Sequence, residues 1–297
     1  MFDEFIVAKA KEILQAENVE IVHRLLGGMS NYTYVIKADD KLYTFRILGE
    51  FAEKFVNREL EKENIKLFEQ LNVTNKTIYL DVETGIKIAE YIEGTSLNQL
   101  TEDEYPFEKV VQKLKIVHNS NLKAQNDYNP FNRLQTYEQY LIDVNFVHPE
   151  KYNQLKKEFF KYKPYLDSIP KVLCHGDSQP SNFVLTQDGD VVIVDFEFTG
   201  NNDLIYDIAC FGNINFSSAK KLLQYYFSDN LDDDKEIRLY LWRIFQCFQW
   251  YNVAVFKDMY GLSEKLKIDF KAVANKYLQN IENLMNEFNS KQFFQKK

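Results

Sequence analysis

The chain has 297 residues, 45% hydrophobic and 27% charged, which suits a globular protein with one large core or two lobes. Its net charge is −8, and lysines and arginines are scattered apart from doublets such as Lys156-Lys157 and Lys220-Lys221. With no basic stripe to meet a phosphate backbone, nucleic acid is excluded as the main partner.

Residues 3–17 alternate at helical spacing and predict an N-terminal helix. Three strand-like runs follow at 20–26, 32–38 and 42–48, with Asp39-Asp40 as a polar turn between the second and third. Residues 53–70, rich in Glu, Lys and Leu, predict a helix, and 77–81 and 86–92 predict two more strands around a turn ending in Gly85. Five strands with one inserted helix fit a kinase-like small lobe. Beyond Gly94 the pattern turns helical, near 102–122, 133–146 and 149–166, until a hairpin interrupts at 171–195. Helices then resume, the long ones around 233–260 and 264–288. Asp203 is placed to cap the helix carrying Tyr206-Asp207-Ile208-Ala209, and Asp232-Asp233-Asp234 reads as another helix start. No repeat or low-complexity linker occurs. The expected fold is therefore α+β and bilobal, protein-kinase-like, with a small β-rich N-lobe over 1–93 and a large, mostly helical C-lobe over 94–297.

The hairpin carries the chemistry. It reads His175-Gly176-Asp177-Ser178-Gln179-Pro180-Ser181-Asn182, then, after the turn Gln187-Asp188-Gly189-Asp190, Val191-Val192-Ile193-Val194-Asp195-Phe196-Glu197. Asp177 can accept a proton from an alcohol, and Asn182 and Asp195 can each offer oxygen to Mg²⁺, a hard cation that prefers such ligands. An Asp five residues before a metal-binding Asn, with a second metal ligand ending an apolar strand, is the spacing of a kinase catalytic loop. Any one of these residues alone is an ordinary turn or cap residue. Together they point to phosphoryl transfer. A Walker A motif and a full Gly-x-Gly-x-x-Gly are both absent, which sets P-loop folds aside.

His-Gly-Asp, Asn five residues on and then Asp-Phe-Glu resemble the aminoglycoside phosphotransferase and choline kinase superfamily. Glu197 and the segment Glu90-Tyr91-Ile92-Glu93-Gly94 are more similar to its choline/ethanolamine kinase branch, in particular the bacterial members. Leu26-Gly27-Gly28-Met29-Ser30-Asn31-Tyr32 resembles the phosphate-loop region of that branch, and Asn57-Arg58-Glu59-Leu60-Glu61 is similar to it as well. The resemblance runs from about residue 25 to the C-terminal helices. It implies an ATP- and Mg²⁺-dependent kinase whose N-lobe binds the nucleotide and whose C-lobe holds the catalytic and acceptor residues. Ser30 and Asn31 would approach the phosphates. Arg46, on a β3-like strand, would contact them too, and Glu61 would pair with Arg46. Glu90, Tyr91 and Ile92 would recognise adenine through their backbone. Gln179 would order the catalytic loop or the nucleotide, and Asp207 would anchor that loop.

The acceptor implied is a small alcohol, choline first. A quaternary ammonium is held by aromatic faces and often a carboxylate. Trp250 is the leading candidate for one wall, Tyr277 for a second and Tyr206 for a third, with Glu197 reaching the metal shell or acceptor through water. Two departures from the bacterial choline kinases weaken a cationic site: Val253 stands where a second Trp is common, and Gly212-Asn213-Ile214-Asn215 where an acid is common. Ethanolamine, thiamine or an aminoglycoside stays open as acceptor, as does a catalytically silent ATP-binding scaffold. Cys174, Cys210 and Cys247 show neither metal spacing nor a disulfide framework. No run reaches the length of a membrane span, so membrane insertion is not expected, and Met1-Phe2-Asp3-Glu4-Phe5 lacks the regions of a signal peptide. A reduced cytoplasm is the expected compartment.

Overall fold

The computed structural model describes residues 2–25, 31–291 and 293. Ser30 and the Gly27-Gly28 pair lie outside the described residues. The chain forms two compact units, Met1–Asn126 with Pro180–Gly200, and Asp127–Gln179 with Asn201–Lys297.

In the first unit, β1 (Val19–Leu25), β2 (Asn31–Ala38), β3 (Lys41–Leu48), β4 (Thr77–Leu80) and β5 (Lys87–Glu90) form an antiparallel sheet in the order β1-β2-β3-β5-β4. Helix α1 (Asp3–Leu14) lays Ile6 and Ala10 against Ile36, Phe45, Ile86 and Ile88, and this apolar set is the core of the sheet. The helix stops before the expected residue 17 because Gln15 turns left-handed at φ 53°. Helix α2 (Arg58–Gln70) starts later than expected, since Asn57 caps it by accepting from the Leu60 N–H at 3.1 Å. α2 buries Arg58, Glu61, Asn64, Ile65 and Phe68, an unusually polar set for an inward face. Phe68 packs on Phe196 with ring centroids 4.3 Å apart, and the Asn64 amide donates to the Thr199 carbonyl at 3.2 Å.

Two short strands complete this unit. β6 (Gly94–Ser96) pairs with β8 (Phe183–Thr186), which pairs in turn with β9 (Val191–Ile193). The Ile193 N–H also donates to the Val73 carbonyl at 2.9 Å. Helix α3 (Phe107–His118) sends Lys113 to Asp190, at the turn of the β8–β9 hairpin, at 2.7 Å.

The second unit is mostly helical: α4 (Pro130–Ile142), α5 (Glu150–Phe159), α6 (Lys163–Asp167), α7 (Leu204–Cys210), α8 (Phe216–Phe227), α9 (Asp233–Met259), α10 (Leu262–Leu266) and α11 (Phe270–Ser290). Its one small sheet among the described residues pairs β7 (Val172–Cys174) with β10 (Gly200–Asn202). α9 is buried almost all round, with Trp242, Phe245 and Phe248 in its middle. Asp203 caps α7 by accepting from the Ile205 N–H at 3.0 Å, and it also receives Trp242 Nε1 at 2.8 Å and Arg238 at 2.9 Å. Asp232 caps α9 by accepting from the Lys235 N–H. The expected helix at 264–288 is two helices, because Lys267 turns left-handed and Asp269 caps α11 anew. All three cysteines are free and buried.

The result is a bilobal α+β fold of protein-kinase-like architecture, with a β-rich N-lobe and a mostly helical C-lobe. No described helix is long and apolar enough to cross a membrane.

Candidate active site

The loop after β7 holds Asp177. Gly176 adopts φ 82°, a left-handed value open to glycine, and this lets the chain turn back on itself directly before the Asp. Asp207, on α7, accepts from the His175 and Gly176 backbone N–H groups, each at 2.8 Å, and so clamps the loop backbone. Ser178 Oγ adds a bond to the Asp207 carbonyl at 2.6 Å, and the Asp177 N–H donates to His175 Nδ1 at 3.2 Å. Asp177 is 8% exposed, and its carboxylate accepts from Gln179 Nε2 at 3.0 Å. Gln179 in turn accepts from Asn213 at 2.7 Å, and Asn213 accepts from the Tyr277 hydroxyl at 3.3 Å. Asp177, Gln179 and Tyr277 are thus brought together, linked by Asn213.

In the other unit, the β8–β9 register brings Asn182 and Asp195 to one end of the hairpin. Phe183 faces Ile193, and the Val194 N–H donates to the Asn182 carbonyl at 3.0 Å, so Asp195 is the next residue beyond that rung. Asp195 sits at φ 69°, where a residue with a Cβ is strained, a feature that concentrates at functional sites. Burial raises its pKa above the ordinary carboxylate value, opposed by the charges of Lys87, Arg46 and Arg58. A partly desolvated carboxylate at the same end of the hairpin as an Asn suits a hard cation that takes oxygen ligands and brings its own charge. The residues present therefore fit Mg²⁺.

Around that carboxylate lies a buried charge cluster. Arg46 grips Glu61 with both terminal nitrogens, at 2.5 and 3.0 Å. Arg58 bridges Glu61 at 2.7 Å and Glu197 at 3.0 Å, and Asn31 donates to the same Glu197 oxygen at 2.9 Å. Lys87, directly across the ladder from Arg46, comes within 3.7 Å of Glu61. Glu61 is the hub: burial opposes its ionisation, but Arg46, Lys87 and Arg58 outweigh that and hold it far below the usual carboxylate range. Burial lowers the pKa of Lys87 and raises that of Glu197, where the neighbouring Asp195 charge adds to the rise.

Two cations were missed by sequence reasoning. Arg58 stood in the segment that carries the resemblance but was given no role of its own, and only 7% of it is exposed. Lys87 is found only once the β3–β5 register is known. Arg46, expected on the phosphates, has its fork closed on Glu61, and its Nε has no partner among the described residues. At the expected adenine segment, the Glu90 and Tyr91 N–H groups are already used by the Lys76 and Leu42 carbonyls, and Asn75 donates to the Glu90 carbonyl.

The acceptor candidates separate. Tyr277 is half-buried and joined to the Asp177 loop as described. Tyr206 is 1% exposed, its hydroxyl bonded to that of Tyr128 at 2.7 Å and its ring packed by Trp242 and Phe245. The structure puts it in the core, without an open face for a ligand. Trp250 is half-buried on α9, and Val253, one turn on, is buried, so a second Trp there would have to displace core packing. Arg243, 3% exposed, bonds Gln246 at 3.0 Å and has no carboxylate within 4.0 Å among the described residues; its charge reaches Tyr277 and Cys210.

A family model, choline/ethanolamine kinase, matches residues 22–238. The chain belongs to the choline/ethanolamine kinase family. It is 27% identical over 188 residues to Protein LicA of Haemophilus influenzae, a match covering 62% of this chain and 55% of that protein. An uncharacterized protein of Mycoplasma pneumoniae is 28% identical over 249 residues, 80% of each chain. The crystal structure of choline kinase LicA from Streptococcus pneumoniae superposes with a TM-score of 0.77 at 26% identity, covering 94% of this chain and 99% of that one. Membership leaves the acceptor to chemistry.

Proposed function

We propose that this member of the choline/ethanolamine kinase family transfers the γ-phosphoryl group of ATP to the hydroxyl of a small amino alcohol, choline first, to give phosphocholine. The observation that carries the reading is the Asp177 loop: a nearly buried carboxylate with its backbone clamped by Asp207 and its side chain fixed by Gln179. A carboxylate so held can accept a hydroxyl proton with little reorganisation as the oxygen attacks phosphorus. Asn182 and Asp195 would hold Mg²⁺, which when bound neutralises charge on the β- and γ-phosphate oxygens. Arg46, Arg58 and Lys87 offset the charges of Glu61, Glu197 and Asp195, so that the carboxylates beside Asp195 repel a triphosphate less, and Asn31 is a donor at the same place. With the Glu90 and Tyr91 N–H groups committed, adenine would be read by Ile92 and the carbonyls of this segment. Residues 1–93 would serve the nucleotide and 94–297 the chemistry and acceptor, in a reduced cytoplasm.

A second reading of the acceptor has its own support. Arg243 places a cation near Tyr277, and Asn213 is an amide rather than an acid. Both favour a neutral or zwitterionic alcohol over a quaternary ammonium, because like charges repel most where water is scarce. The test is ATP-dependent product formation, read by mass spectrometry, across choline, ethanolamine, thiamine and aminoglycosides, with neutral glycerol and zwitterionic serine included for the second reading and Asp177→Asn as control. Phosphocholine is expected from the wild type. The variant should lose roughly 10²–10⁴-fold in rate while still binding ATP. Equal turnover by the variant would remove Asp177 from the role, and product from another alcohol alone would move the acceptor.

A further inference from the structure

We propose that Asn213 is a positioning residue for the base: its side-chain amide sets the orientation of Gln179, which fixes the Asp177 carboxylate toward the acceptor hydroxyl. The proposal rests on Asp177 acting as the base. Its argument is the polarity of three consecutive hydrogen bonds within one unit. An ionised carboxylate only accepts, so Gln179 must turn its NH₂ to Asp177 Oδ2, at 3.0 Å. That leaves the Gln179 carbonyl as the acceptor of the next bond, and Asn213 Nδ2 donates to it at 2.7 Å. The Asn213 carbonyl is then the acceptor for the Tyr277 hydroxyl at 3.3 Å. Burial pushes Tyr277 up to about 12, with the Arg243 charge opposing, so the hydroxyl keeps its proton and can only end the chain as the donor. Every bond runs in one direction, from Tyr277 to Asp177.

The anchor points are fixed. The Asn213 N–H bonds the Cys210 carbonyl at 3.0 Å, just past the end of α7. That helix also carries Asp207, which holds the loop backbone. One helix thus sets the main chain of the catalytic loop through Asp207 and the side chain of its base through Asn213. An ionised acid at position 213 would have the shape of Asn but nothing to donate. Gln179 would have to rotate to give its NH₂ to that new carboxylate, and would then present a carbonyl oxygen to the Asp177 carboxylate.

This gives an order that a packing role would not. If Asn213 merely filled space, Asn213→Asp would be milder than Asn213→Ala. Through the relay it is worse. The experiment compares both variants with wild type in the full chain, using Mg-ATP and choline, and follows the Gln179 side-chain amide by ¹⁵N–¹H NMR. Expected are a loss in kcat of about 10–100-fold for Asn213→Asp and a smaller loss for Asn213→Ala, with KM for ATP unchanged. The Gln179 amide signals should shift in Asn213→Asp, and Tm should stay close to wild type. An Asn213→Asp enzyme with kcat at or above that of Asn213→Ala, or with unmoved Gln179 signals, would overturn the proposal. Should wild type make no phosphocholine, the acceptor reading fails by itself, and the amide signal alone then decides the relay.

Discussion

At the scale of single residues, the charge cluster around Glu61 is the most consequential feature. Breaking a buried ion pair on one side is costly because the partner charges stay buried, typically about 3–5 kcal/mol. Glu61→Gln would leave Arg46 without its counter-ion, so a loss of that order in urea denaturation at pH 7 is expected. The pH dependence follows from the sign of the shift. A carboxylate whose folded pKa is depressed stabilises the fold above its unfolded pKa, near 4.5, and that contribution fades as pH falls below it. Asp195 and Glu197, both raised, act the other way and favour the fold as pH drops. Wild type alone therefore mixes the two trends, and the difference between wild type and Glu61→Gln isolates Glu61: it should be largest near neutrality and shrink steadily below pH 4.5. A gap that stays constant from pH 7 to pH 3 would deny the hub role. The sequence carried Arg46 and Glu61 because strand and helix positions matched a family pattern. It did not show the roles of Arg58 and Lys87, because the burial of a single Arg at a helix start or a single Lys on a strand emerges only from register and packing.

Secondary-structure elements were legible in proportion to their length and periodicity. The long α9 and the β8–β9 hairpin could be read, one from apolar spacing and the other from its Asp-Gly turn. β6 and β10, three residues each, could not, since a strand that short has no alternation to show. β6 nonetheless has a strict demand at its first residue. A Cβ on Gly94 would lie far inside contact distance of the Leu185 carbonyl oxygen, a backbone atom that cannot swing aside. Gly94→Ala must therefore push β6 from β8, and overpacking of this kind typically costs about 1–3 kcal/mol. The expected result is a lower Tm with the β8–β9 hairpin itself intact. Unchanged stability would mean that β6 relaxes freely. Helix ends were misjudged where a single residue decides them, as at Gln15, Asn57 and Lys267, because caps and left-handed turns override a periodic pattern.

Over the whole molecule, the order of the chain does not match the order of its compact units: residues 180–200 return to the unit formed by the first 126. Nothing in a linear pattern announces this. The seam is visible only in what the returning segment supplies. Phe196 packs on Phe68, Thr199 takes the Asn64 amide, Glu197 answers Arg58, and Ile193 bonds Val73. Helix α2 therefore turns to residues 193–199 a face holding a buried Arg, Asn and Phe, a combination that a free fragment would have to expose or leave unpaired. A fragment ending at residue 93 keeps the five-stranded sheet and α1 but loses all four partners. The apolar core of α1 against the sheet can still form, so collapse is expected, while α2 should lose its docking. Circular dichroism and thermal melting of the isolated 1–93 fragment should show strand signal with reduced helix and a broad, weakly cooperative transition. A sharp transition with full helix content would mean that residues 1–93 carry their own stability, and that the returning segment adds only the Asn182 and Asp195 end of the hairpin.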